Sequence, residues 1–205
     1  SKVNTSSTGG GTAFSSATDH IDVSVLAVND DAPRITSDGG DTSTVVSVAE
    51  NTTAVTTVTA TDTDLPAQSL IYSISGGADA VMFFIDMNTG ALQFVDAPDF
   101  EAPADADSDN VYDVTVKVSD GLFADTQAIA VHVAAVNDNL PVITLPADAE
   151  FEVAENQTTV AQVAAHDGDQ PVQVLTFAIR GGEDAALFII HPGNGDLSFA
   201  RAPNF

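Results

Sequence analysis

The chain repeats itself at a fixed distance, and that repetition constrains its fold more than any other feature. Val48-Ala49-Glu50-Asn51 returns 105 residues later as Val153-Ala154-Glu155-Asn156. In the same register Asp62-Thr63-Asp64 returns as Asp167-Gly168-Asp169, and Gly76-Gly77 as Gly181-Gly182. Gly90-Ala91-Leu92 becomes Gly195-Asp196-Leu197, and Ala97-Pro98-Asp99-Phe100 becomes Ala202-Pro203-Asn204-Phe205. Ala27-Val28-Asn29-Asp30 recurs as Ala135-Val136-Asn137-Asp138 at an offset of 108. A period of this length is a whole domain rather than a solenoid repeat. The expected organisation is a tandem array. Residues 1–28 are the C-terminal strands of a preceding repeat, 29–136 form a complete domain, and 137–205 are the N-terminal part of a following repeat without its last strands.

Within a repeat the pattern is all β. Tyr112, Val114, Val116 and Val118 alternate with Asp113, Thr115, Lys117 and Ser119, a period of two with one buried face. Leu70, Tyr72 and Ile74 alternate likewise, matched by Leu175, Phe177 and Ile179, and Ile129, Val131 and Val133 continue the theme. Asn88-Thr89-Gly90 and Gly193-Asn194-Gly195 are hairpin signals whose glycines can take positive φ. No segment shows a helical period. Short alternating runs separated by turn residues predict tandem seven-stranded antiparallel β-sandwiches of Greek-key type.

Charge narrows the function. Thirty Asp and Glu face five Lys and Arg, a formal charge of −25, which repels nucleic acid and anionic membrane surfaces. A hydrophobic fraction of 44% is too high for a chain that never packs. Cysteine is absent, so neither a disulfide nor a zinc-thiolate site staples the fold. No run of 18 apolar residues offers a membrane span, so no direct membrane insertion is expected. No signal peptide is visible in residues 1–13, and the chain reads as an excerpt from something longer.

The acidic residues are clustered rather than scattered. They gather at Glu50, Asp62 and Asp64, Asp99 and Glu101, Asp120, Asn29-Asp30-Asp31 and Asn137-Asp138-Asn139. Asp-x-Asp in an extended segment sets two carboxylates on one side, because side-chain direction repeats every two residues. Calcium takes six to eight oxygen ligands from carboxylates, amides and carbonyls, and these motifs offer them.

In their order these motifs resemble those of the cadherin repeat. Ala49-Glu50-Asn51, Asp62-Thr63-Asp64, Asp99-Phe100-Glu101, Ser119-Asp120-Gly121 and Ala135-Val136-Asn137-Asp138-Asn139-Leu140-Pro141 stand where that family has its motifs, and the resemblance covers the chain from about Asp22 onward. It implies a cadherin- or Ig-like sandwich array with Ca2+ bound at the seams between domains. For the seam near Asn137 the implied ligands are Glu50, Asp99 and Glu101, then Asn137, Asp138 and Asn139, then Asp167 and Asp169. For the seam near Asn29 they are Asn29, Asp30, Asp31, Asp62, Asp64 and Asp120, a partial set. Ala27 and Ala135 stand where the family usually has the first Asp of its linker, which removes a carboxylate from each seam. Close carboxylate pairs at about 6 Å repel by roughly 1–3 kcal/mol between water and protein-surface dielectrics. Calcium would therefore tie adjacent domains together and stiffen the linker.

Other features are weaker. Asp105-Ala106-Asp107-Ser108-Asp109-Asn110 resembles the start of an EF-hand loop, but Asn110 and Val116 occupy the places of its glycine and glutamate, which favours a solvated loop over a minor calcium site. His20, His132, His166 and His191 share no metal spacing, and no nucleophile elbow or phosphate loop appears, so the chain is expected not to be an enzyme. The composition suggests a module of an extracellular bacterial surface adhesin. Its expected partners are other cadherin-like domains, in the same array or in a second chain through strand complementation by His20 to Val28. A carbohydrate-binding module is the rival reading, with polysaccharide as partner; the absence of Trp and the core-facing Tyr72 and Tyr112 tilt against it.

Overall fold

Runs rich in Val, Ile, Thr and Phe, broken by Gly, Asn and Asp, form strands throughout. The computed structural model describes residues 23–145 and 150–204. The first unit carries β1 (Arg34–Ile35), β2 (Ser43–Ala49), β3 (Ala54–Thr57), β4 (Ala60–Thr61), β5 (Ile71–Gly76), β6 (Phe83–Ile85), β7 (Ala91–Phe94), β8 (Val111–Ser119) and β9 (Ala124–Ala134). One sheet has the order β2-β9-β8-β5; facing it are the three-stranded sheet β3-β7-β6 and the separate β1-β4 pair. Counting β1 with β2 and β3 with β4 as interrupted strands gives the expected seven.

The period of two decides which side chains meet between the sheets. Tyr112, Val114, Val116 and Val118 of β8 are all buried, as are Ile129, Val131 and Val133 of β9. Ile35, Val58, Phe83, Ile85, Leu92 and Phe94 close the core from the other side. Phe83 stacks on Phe94 with ring centroids 4.6 Å apart, and Tyr112 meets Phe94 edge-on at 5.1 Å. Each such side chain contributes about 1.5–3 kcal/mol by leaving water. The Tyr112 hydroxyl accepts the Ala104 N–H at 3.1 Å, so its polar tip is satisfied.

One pairing departs from the all-antiparallel expectation: β2 and β9 run parallel, from Ser43↔Ala128 to Ala49↔Ala134. The cause lies in how the chain enters the sandwich. β1 pairs antiparallel with β4, the 3-10 turn Ser37–Gly40 shifts the chain across, and β2 continues in the opposite sheet. A strand that switches sheets keeps its direction and so meets β9 parallel.

Both predicted hairpin glycines have left-handed backbones, Gly90 and Gly195 each at φ 73. A Cβ on Gly90 would lie 2.1 Å from the Val58 carbonyl oxygen, and one on Gly195 2.1 Å from that of Val163. Asn51 and Asn156, both at φ 61, occupy the turn after each glutamate.

The second unit reproduces one half of this plan. β10 (Val142–Ile143) pairs with β12 (Ala165–His166), and β11 (Thr159–Gln162), β14 (Asp196–Phe199) and β13 (Phe188–Ile190) form a three-stranded sheet. The strand expected over Leu175, Phe177 and Ile179 does not form a ladder. β5 is paired because β8 lies beside it, from Ile71↔Ser119 to Ile74↔Val116, and the described part of the second unit offers no such neighbour. The final strand expected over His20 to Val28 falls partly outside the described residues. Its described part, 23–28, carries no strand, and Val25 and Leu26 are exposed.

Candidate metal centre at two linkers

Each linker runs into a turn that follows β4 or β12, and the acidic motifs converge there. At the first linker Asp30, Asp31 and Asp64 each bring a carboxylate oxygen within 4.8 Å of the others; Asp62, Asp64 and Asp120 do the same. The Asp-x-Asp turn is locked locally: the Asp64 N–H donates to Asp62 Oδ1 at 2.9 Å. The Asp31 N–H donates to Asp64 Oδ2 at 3.1 Å, and the Thr63 hydroxyl to Asp31 Oδ2 at 2.8 Å. Asp120 Oδ1 accepts the N–H groups of Leu122 and Phe123, both at 2.7 Å. Asn29 stands at the centre, the end of its amide 3.3 Å from Asp64 Oδ2 and 3.2 Å from Asp120 Oδ2, where the amide nitrogen can donate to both carboxylates.

The electrostatics follow from this crowding. Asp64 is buried, and its burial, helped by the charges of Asp62, Asp31 and Asp30, pushes its carboxyl above the ordinary carboxylate value against the Asp31 N–H. For Asp120 burial also acts upward, but the Leu122 and Phe123 N–H groups outweigh it and hold the carboxyl below its ordinary value.

At the second linker Glu50, Glu101 and Asp138 place carboxylate oxygens within 4.8 Å of one another. Glu50 is 2% exposed; its Oε2 accepts the Phe100 N–H at 2.7 Å and its Oε1 the Val136 N–H at 2.6 Å. One side chain thus fixes both the turn after β7 and the exit from β9. Asp169 is buried, and its Oδ1 accepts N–H groups from Asp138 (3.3 Å) and Asn139 (3.0 Å) and the Asn139 amide (3.0 Å). Burial acts upward on Asp169, but those donors outweigh it and hold the carboxyl low. Asp167 Oδ1 accepts the Asp169 N–H at 3.2 Å. The Gln170 N–H donates to Glu101 Oε1 at 2.9 Å, linking the first unit to the turn of the second. Asn137 donates to Gln173 Oε1 at 2.6 Å. Asp99 is exposed; its Oδ1 accepts the N–H groups of Glu101 and Ala102, and it joins none of these carboxylate groups.

Among the described residues, two buried carboxylate oxygens are left without a hydrogen-bond donor, Asp62 Oδ2 at the first linker and Glu101 Oε2 at the second. Buried anionic oxygens without donors are costly, and a divalent cation is the partner that suits several of them together. The donor set, all hard oxygen with no sulfur or imidazole, fits calcium.

The comparisons with known proteins bear on this arrangement. A family profile described as "Cadherin domain" matches residues 44–135, the span from β2 through β9 to the start of the second linker. The chain belongs to the cadherin family. It is 30% identical over 194 residues to "Protocadherin Fat 1" from Homo sapiens, covering 90% of the chain and 4% of that protein. To "Cadherin-23" from Mus musculus it is 32% identical over 198 residues, covering 89% of the chain and 6% of that protein. It therefore spans a small part of the length of these relatives. Among solved structures, "Protocadherin Gamma B2 extracellular cadherin domains 3-6" superposes with a TM-score of 0.61 at 26% identity, covering 88% of this chain and 45% of that one. These relatives are animal proteins in the two cases where an organism is given, which lends the bacterial expectation no support.

Within this cadherin chain, sequence reasoning missed three side chains at the linkers. Gln68 accepts from Asn29, Gln173 accepts from Asn137, and Asn51 donates to Asp138 Oδ2. The repeat carried a signal for the glutamines, since positions 68 and 173 are 105 apart. The loop of Asp105, Asp107 and Asp109 does gather three carboxylates within 4.8 Å. Asp105 is buried there and closes the loop itself by accepting the Asp109 N–H at 2.8 Å and the Asn110 N–H at 3.3 Å. Asp107 is pushed above the ordinary value, chiefly by the charge of Asp109.

Proposed function

We propose that this chain is a calcium-binding adhesion module in which calcium at the linkers fixes one cadherin unit against the next. The observation that carries the reading is the pair of donorless buried oxygens, Asp62 Oδ2 and Glu101 Oε2, one at each linker amid converging carboxylates. At the first linker Asn29, Asp30, Asp31, Asp62, Asp64 and Asp120 are the ligands. At the second they are Glu50, Glu101, Asn137, Asp138, Asn139, Asp167 and Asp169, with Asp99 completing the set. The unit boundaries are residues 29–136 and 137–205, with 1–28 belonging to a preceding repeat.

Bound calcium neutralises carboxylates that otherwise repel, and joins atoms from two units through shared ions. The chain's own part is to hold those oxygens in place: Glu50 through two N–H donors, Asp169 through three donors from the linker. The work is mechanical rather than catalytic: an extended array outside the cell, bacterial on the evidence of composition, that adheres or holds a distal region away from the surface. Its partners are other cadherin-like domains, in the array or in a second chain by strand addition. The exposed Val25 and Leu26 and the segment 172–180, which forms no strand ladder, support that last contact. Both tyrosines lie in the core, so neither offers a stacking surface for polysaccharide.

Calcium titration by calorimetry on metal-stripped protein tests the reading. Two or more ions per chain, with dissociation constants of roughly micromolar to millimolar, are expected. The absence of any heat up to several millimolar calcium would remove calcium from the mechanism and leave only the sandwich fold.

A further inference from the structure

The two linkers share a feature outside the acidic motifs. At each, the amide of the linker asparagine is gripped by a glutamine from the turn before β5 or its counterpart in the second unit. Asn29 Nδ2 donates to Gln68 Oε1, and Asn137 Nδ2 donates to Gln173 Oε1. The glutamines stand 105 residues apart and the asparagines 108 apart, so the repeat preserves the pair as a unit. Gln68, Gln173 and Asn29 are partly buried, whereas Asn137 is exposed.

An amide is a two-faced group, oxygen on one side and two N–H donors on the other. With its nitrogen on Gln68, Asn29 turns its Oδ1 toward Asp64 Oδ2 at 3.3 Å and Asp120 Oδ2 at 3.2 Å. Three oxygens then converge with no proton among them, an arrangement that suits a bound cation, whereas without one the opposite orientation of the amide satisfies both carboxylates. Turned by 180°, the Asn29 amide would instead donate to both carboxylates, and its oxygen would face Gln68 Oε1. Gln68 would have to turn as well, presenting Nε2 to that oxygen. The two amides are thus coupled, with one joint orientation for a cation and one for its absence. At the second linker Gln173 Nε2 also approaches Asp169 Oδ2, at 3.4 Å, so that glutamine spans the asparagine and an acidic residue of the cluster.

We infer that Gln68 and Gln173 are positioning residues of the two linkers, each holding the linker asparagine with its oxygen toward the acidic cluster. The inference rests on the calcium reading proposed above. A hydrogen-bond partner of a metal ligand fixes its orientation, and losing one typically lowers metal affinity about 10–100-fold.

Two near-isosteric variants separate orientation from packing. Gln68→Met keeps length and apolar bulk but cannot accept from Asn29; Gln68→Glu keeps the acceptor and cannot present a nitrogen. Calcium is titrated into each full chain while the backbone amides of Asp64 and Asn139 are followed by NMR, one reporting each linker, together with the Asn29 side-chain NH2 signals. The expected result is a loss of at least about tenfold at the first linker in Gln68→Met, with the second linker unchanged. Gln68→Glu should bind at least as tightly as the parent chain, and calcium should shift the Asn29 NH2 signals in the parent and in Gln68→Glu. Parent-like affinity in Gln68→Met, an equal loss in both variants, or a loss at both linkers together overturns the inference while leaving calcium binding intact. No binding in the parent chain overturns the calcium reading and this inference with it. Gln173→Met and Gln173→Glu repeat the comparison at the second linker.

Discussion

Single side chains in this molecule act mainly by satisfying backbone N–H groups that a turn leaves open. Asp86 is an example away from the linkers. Its Oδ1 accepts the N–H groups of Asn88 at 2.9 Å and Thr89 at 2.8 Å, closing the hairpin between β6 and β7. Those bonds, Thr89 foremost and then Asn88, hold the carboxyl below its ordinary value of 3.8. A carboxylate with a depressed folded pKa adds stability above the unfolded value and loses it as pH falls through the folded one. Asp86→Ala should therefore lower the urea midpoint at pH 7, and the gap to the parent chain should narrow below pH 3.8. The equivalent place in the second unit is His191, whose Nδ1 accepts the Gly193 N–H at 3.2 Å, so the same turn is closed by different chemistry. Residues whose role is carried by a local motif, such as Glu50 before Asn51 or Asp62 before Asp64, were legible in the sequence. Gln68 was not. A glutamine on a turn is ordinary, and its meaning comes from the linker that folds back against it.

At the scale of elements, turns set what the strands can do. Gly90 sits at φ 73, with the Val58 carbonyl where a Cβ would go. Gly90→Ala should cost at least about 1–2 kcal/mol from the left-handed backbone alone, and more from the clash. Thermal unfolding should show a fall of at least about 4–8 °C for a unit of this size; an unchanged midpoint would mean that the hairpin can relax without loss. The period-two runs made β8 and β9 readable residue by residue, down to the burial of Val114 and Val131. The same runs left pairing direction open, because a strand shows the same alternation whether its neighbour is parallel or antiparallel. That is why the β2–β9 pairing emerged only in three dimensions. Gln127, fully buried on β9 and donating to the Asp41 carbonyl at 2.9 Å, escaped for a related reason: a polar residue at an inward position reads as an outward one. Leu175–Ile179 teaches the converse, since a strand pattern needs a neighbour before it becomes a strand.

For the whole molecule the dominant quantity is a charge of −25, with eleven of the 30 acidic residues in the linker motifs. Sodium chloride screens such repulsion over about 8 Å at physiological strength without joining anything, whereas calcium would do both. Thermal unfolding should separate the two effects. At fixed ionic strength, calcium at a hundredfold excess over its dissociation constant should add about 2.7 kcal/mol per site, and chelation should reverse the gain. Cleavage by protease between Ala135 and Pro141 should slow with calcium and not with an equal ionic strength of sodium chloride. Equal protection by both salts would reduce the metal to a screening ion.

The parallel ladder of β2 and β9 has a mechanical consequence. It joins the first long strand of the unit to the last, through seven residue pairs from Ser43↔Ala128 to Ala49↔Ala134. In the tandem array proposed above, tension would enter near Asn29 and leave near Asn137, and so would draw two parallel strands toward opposite ends. The ladder is then loaded in shear, with its backbone hydrogen bonds sharing the force together. An antiparallel pair gripped at neighbouring ends would unzip one bond at a time. A fold that places its two anchoring strands side by side and in the same direction is built to be pulled.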